Sequence, residues 1–188
     1  MKLLLHSLKL LVSEFVQIIS AKQLLGFKMN DAEILECLLD SDGSTRDITF
    51  TPASRECVSS FIKSFFKDYS VGELHDQDGE PVEIDHCVIM KKLEGDEGCI
   101  HGQLINDGGL IGQVHLFIDW PEDEMVAIEI SFFPMDLYKE FSLKRFLSSL
   151  NEWWGLLQTS EVFVRYENAS WEWYNPNGLG VFYHASKA

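Results

Sequence analysis

Residues Cys99 to Phe133 read CIHGQLINDGGLIGQVHLFIDWPEDEMVAIEISFF, three runs of alternating apolar and polar side chains separated by NDGG and WPEDE. Successive side chains of a β-strand point to opposite faces, so alternation of period two marks strands with one buried face. Connectors this short, rich in Gly, Asp and Pro, join antiparallel neighbours, because a parallel crossover needs a dozen residues or more. Cys99–Ile105, Leu110–Asp119 and Met125–Phe133 are therefore expected as consecutive antiparallel strands. An apolar run at Val82–Lys92, joined through EGDEG, extends them to a four-stranded meander.

Upstream, Ile34–Leu39 and Ile48–Thr51 flank DSDGST, where Asp42-Gly43 has the chemistry of a hairpin turn. Thr51-Pro52 reads as a helix start, with Thr51 as N-cap and Pro52 in the first helical position. Cys57, Val58, Phe61, Ile62, Phe65, Phe66 and Tyr69 then recur at the spacing of one buried helical face. Downstream, Leu137, Phe141, Phe146, Leu147, Leu150 and Trp154 mark a second helix over 136–157, broken or restarted near Ser142. Strands at Glu161–Tyr166 and Leu179–His184 close the chain through SWEWYNPNG, whose Asn175-Pro176-Asn177-Gly178 is a turn signal. No repeat or long linker divides residues 29–188. The expectation is one α+β domain, a mainly antiparallel sheet built on a meander of about four strands plus flanking hairpins, with two or three helices packed on it.

Residues 1–28 form the most apolar part of the chain, yet Lys9, Glu14, Gln17 and Lys22 interrupt the run too often for a membrane span. Leu4, Leu8, Leu11, Phe15, Ile18 and Ile19 recur at helical spacing, which predicts an amphipathic helix. This segment carries four lysines against Glu14, whereas the whole chain has a formal net charge of -15. Met29 opens MNDAEILECLL and would serve as a start, so residues 1–28 read either as an upstream extension or as a helix docked on the domain.

The charge decides which partners are reasonable. A balance of -15 excludes a nucleic-acid backbone as an easy ligand and favours a cationic partner. Residues 68–97 hold ten carboxylates against Lys91 and Lys92, and residues 119–129 add five more without compensation. In a meander, EGDEG and WPEDE lie two strand crossings apart and so at one end of the sheet. Glu94, Asp96, Glu97, Glu122, Asp123 and Glu124 are thus expected as an acidic rim, with Trp120, Trp171 and Trp173 as neighbouring aromatic anchors. Cys37, Cys57, Cys87 and Cys99 lack CxxC spacing, which suits free thiols in the cytoplasm.

Catalytic and metal chemistry find little support. GxSxG, HExxH, Walker A and GxGxxG are absent, and the DG runs at Asp42 and Asp78 break the register of a calcium loop. Cys99, His101 and His115 are the best zinc candidates, because a three-residue loop at Asp107 to Gly109 would set His101 opposite His115 with Cys99 on the same face. No cofactor is expected. Small, acidic, motif-poor α+β chains are similar in general type to immunity proteins that block bacterial toxins. That resemblance implies a non-enzymatic binder of a basic protein, such as a toxin nuclease. The alternatives are a small-molecule or carbohydrate-binding domain that uses the aromatic strip, and a metal-dependent enzyme.

Overall fold

The computed structural model describes residues 29–106, 109–121, 125–167 and 180–187. The expected N-terminal helix over residues 1–28 lies outside them. At the start of the described chain, Asn30 Oδ1 accepts the N–H groups of Ala32 and Glu33 at 3.0 and 3.2 Å, while Glu33 Oε2 accepts Asn30 N–H at 3.0 Å. This reciprocal capping box satisfies the free donors of a helix start, so α1 spans Asp31–Leu39. The hairpin strand expected at Ile34–Leu39 is thereby corrected. Six residues of mixed apolarity fit either period, and the cap chemistry at Asn30, four residues upstream, decides.

β1 (Arg46–Phe50) is followed by the two-residue β2 (Ala53–Ser54) and then by α2 (Arg55–Asp68). The N-cap is Ser54, and not Thr51 as the Thr-Pro pair suggested. Pairing of Ala53 and Ser54 with Val126 and Met125 keeps that stretch extended, and the Thr51 hydroxyl lies 3.1 Å from that of Ser160. α2 buries Val58, Phe61, Ile62 and Phe65, each contributing about 1.5–3 kcal/mol by its removal from water. β3 (Val71–Asp76) and β4 (Pro81–Val82) precede α3 (His86–Lys92). The expected strand Val82–Lys92 is therefore mostly helix. Asp85 Oδ1 accepts the N–H groups of Cys87 and Val88 at 2.8 and 3.1 Å, and Lys91 and Lys92 sit in the last turn, where the helix dipole favours cations.

β5 (Gly98–Ile105), β6 (Gln113–Trp120) and β7 (Met125–Phe132) are the three strands of the opening stretch, with β6 starting three residues later than expected. A 3-10 turn at Pro134–Asp136 leads to α4 (Leu143–Leu157), so the anticipated break at Ser142 is present. β8 (Glu161–Tyr166) follows, and β9 (Val181–Ser186) begins two residues later than expected.

Among the described residues nine strands form one antiparallel sheet of order β4-β3-β5-β6-β7-β1-β8-β9, with β2 paired to β7. It is wider than a four-stranded meander, because β3 and β4 extend it beyond β5, and β1, β8 and β9 extend it beyond β7. The core lies on one face. Leu74, Leu116, Ile130, Ile48 and Val164 occupy a single cross-strand row there, with Gly102 between Leu74 and Leu116, and Phe61, Ile89, Leu38 and Leu150 from the four described helices pack into the same cluster.

Candidate functional site

The first half of the site follows from one pairing. Gly98, the first residue of β5, opposes Trp120, the last of β6, so the connector entering β5 and the connector leaving β6 lie at the same end of the sheet. A Cβ at Gly98 would fall 2.5 Å from the Trp120 ring, so only glycine lets the indole pack there. Glu94, Asp96 and Glu97 are exposed at this end, and Arg55 donates to the Gly95 carbonyl at 3.1 Å, tying the connector to α2. Glu122, Asp123 and Glu124 lie outside the described residues, while Trp120 and Met125 on either side of them belong to this same end. Trp120 is corrected as an anchor: at 2% exposure it is core. Trp171 and Trp173 lie outside the described residues.

Not every carboxylate of the acidic segment faces solvent. Asp76 accepts the N–H groups of Asp78 and Glu80 at 3.1 and 3.0 Å and pairs with Lys92, whose hydrogen bond holds its carboxyl below the usual range. The DG run at Asp78 is thus turn chemistry. Asp85 is spent on capping α3.

The second half is the sheet face against which no described helix packs. His75, His101, Phe117, Glu129, Thr49, Phe163 and His184 form one row across seven strands of it. The adjacent row runs Glu73, Gln103, His115, Ser131, Asp47 and Arg165. At its centre Arg165 pairs with Glu129 at 3.0 Å, Thr49 donates to Glu129 at 3.0 Å, and Thr45 donates to Asp47 at 2.9 Å. Burial raises both acids above the usual carboxylate range; Ser131 and Thr45 oppose this at Asp47, while at Glu129 the Asp47 charge adds to the rise and Arg165 opposes it. A concavity of about 340 Å³ opens over this row, lined by Asp47, His115, Phe117, Glu129, Phe133 and Glu167 among others.

The zinc candidates separate here. Gln103, and not His101, opposes His115, because Asn106 N–H closes on the Gly112 carbonyl at 2.9 Å and the connection is longer than three residues. The two-residue shift preserves the face, so His101 and His115 still stack, with centroids 5.9 Å apart, and His115 stacks on Phe117 at 4.5 Å. Cys99 instead opposes Asp119. Among the described residues no group of three or more His, Cys, Asp or Glu is arranged to hold a metal ion. Among the described residues His115 Nε2 is buried without a hydrogen-bond partner, and burial followed by the proximity of His101 lowers the pKa of its imidazole. Sequence reasoning missed Asp47, Glu129 and Arg165, which come from three strands far apart in the chain. The only local signal was their position on the polar alternation of strands.

No protein-family model matches the chain, and no curated protein matches it by sequence. Among solved structures, the fold is similar to that of a chain in the 1.75 Å crystal structure of the toxic C-terminal tip of CdiA from Pseudomonas aeruginosa in complex with its immune protein. The TM-score is 0.51 at 10% identity, with 75% of this chain and 94% of that chain covered. At that identity the likeness is one of fold. No described helix is long and apolar enough to cross a membrane.

Proposed function

We propose that this chain is a non-enzymatic acidic binding protein that neutralises a basic protein partner, most concretely a cytoplasmic immunity protein occluding a bacterial toxin such as a nuclease. The observation that carries the reading is the convergence of the 94–97 connector with the flanks of the 122–124 connector at one end of the sheet, in a chain of net charge -15. The fold likeness to a chain of a toxin–immunity complex supports it. A concentrated negative rim steers a cationic partner into encounter and competes for the surface that partner offers to phosphates.

The test is affinity capture from the native host lysate at low salt, with elution by rising salt and identification by mass spectrometry. A stoichiometric basic protein whose toxic activity is blocked by this chain is the expected result. A lysate that yields no such protein at any salt concentration overturns the proposal.

A further inference from the structure

Five of the seven large apolar side chains exposed among the described residues lie on the sheet face that no described helix covers, or continue its alternation. These are Val71 at 58%, Ile105 at 38%, Phe117 at 37%, Met125 at 37% and Phe133 at 41%. The opposite face is sealed by helices, so apolar exposure is concentrated on one side of one layer, as expected of a docking surface. Charge on this side is unbalanced as well. Among the described residues, Arg165 pairs with Glu129 and its charge also acts on Asp47, while Glu167 adds a further carboxylate to the lining of the concavity. The carboxylate of Glu129 retains 22% side-chain exposure, so it is reachable from the concavity.

We infer that the face that no described helix covers is the docking surface for an arginine-bearing segment of the partner, with one guanidinium entering the concavity lined by Phe117 and Phe133 and pairing with Glu129 and Glu167. The inference rests on the proposed function and moves the energetic centre from the rim to the sheet. The rim draws the partner in, and the face holds it. Arginine suits this place better than lysine, because a planar guanidinium stacks on aromatic rings while its fork addresses carboxylates. Phe117 and Phe133 both line the concavity and supply the rings.

The experiment is titration of the full chain with acetylated tetra-arginine amide, followed by backbone NMR, with the isosteric tetra-citrulline amide as the neutral control. Saturable shifts at Gln113–Phe117 and Ser131–Phe133, absent with citrulline, are expected, and Phe133→Ala or Glu167→Gln should each weaken the binding by about tenfold. Both changes are at exposed side chains, so folding is checked by the unshifted spectrum elsewhere. Shifts confined to Glu94–Gly98, equal shifts with citrulline, or no saturable shift would each overturn the inference. Capture of a basic toxin together with any of those outcomes leaves the proposed function standing and places docking elsewhere. Specific arginine binding on the face without any basic partner leaves the face standing and sinks the immunity reading.

Discussion

Arg46 shows what a single residue contributes to this fold. Its side chain is fully buried, yet its guanidinium donates to the carbonyls of Cys37, Asp40, Ser44 and Thr45, to the Ser44 hydroxyl at 2.9 Å and to Asp42 at 3.2 Å, and it stacks 4.0 Å from the Tyr166 ring. It therefore binds the end of α1 and the following turn to the sheet. Truncation orphans these acceptors. Arg46→Ala is expected to cost about 3–5 kcal/mol and Arg46→Lys a substantial part of that, since an ammonium cannot span the fork; urea unfolding midpoints measure both. His115 makes the second residue-scale prediction. Its folded-state pKa is depressed by burial, so the neutral ring is favoured in the native state. Its stabilising contribution is present above the ordinary histidine value of about 6.5 and is lost as pH falls below it. His115→Phe should therefore lose less stability than the wild type between about pH 7.5 and 5.5. Asp47 and Glu129, with raised values, contribute the opposite trend, most favourable at low pH and lost as pH rises through their folded values, but both proteins share it and it cancels in the difference.

At the scale of elements, caps decided several assignments that side-chain periodicity left open. Asn30 with Glu33, and Asp85, turned two short apolar stretches into α1 and α3. Asn30→Ala should destabilise the protein by about 1 kcal/mol through α1 alone, seen as faster amide exchange at Ile34–Leu38 than in the rest of the sheet. Close strand packing is the other element-scale constraint. A Cβ at Gly102 would lie 2.0 Å from the Glu73 carbonyl oxygen across the β3–β5 pair. Gly102→Ala is thus expected to push β3 from the sheet and lower the thermal midpoint by several degrees, whereas alanine at Gly155, where nothing lies within 4 Å, should be tolerated.

At the scale of the whole molecule, the chain is a layered plate with one face sealed and the other carrying apolar side chains among carboxylates. If the rim steers, replacing Glu94, Asp96 and Glu97 by lysine should cut the association rate with a basic partner and flatten its salt dependence, leaving the dissociation rate and the unfolding midpoint nearly unchanged. Stopped-flow binding at two ionic strengths separates the two rates.

The alternation in Cys99–Phe133 and the 3.6 periodicity around Phe61 were enough, from sequence, to determine the α+β class, the antiparallel trio β5–β7 and helices α2 and α4. These signals are local, because a strand or helix with one buried face must repeat its apolar residues at the period of its own backbone. The chain's charge and the shared end of the two acidic connectors were legible for the same reason, since short loops leave little freedom in topology. What only the tertiary structure decided was non-local. β1 and β8 pair with strands some eighty and more than a hundred residues away in sequence for some contacts, as Thr49 opposite Glu129 and Phe163 shows. Those pairings bring Asp47, Glu129 and Arg165 together, because the energy that selects a neighbour strand lies in packing against the shared core and not in any spacing along the chain.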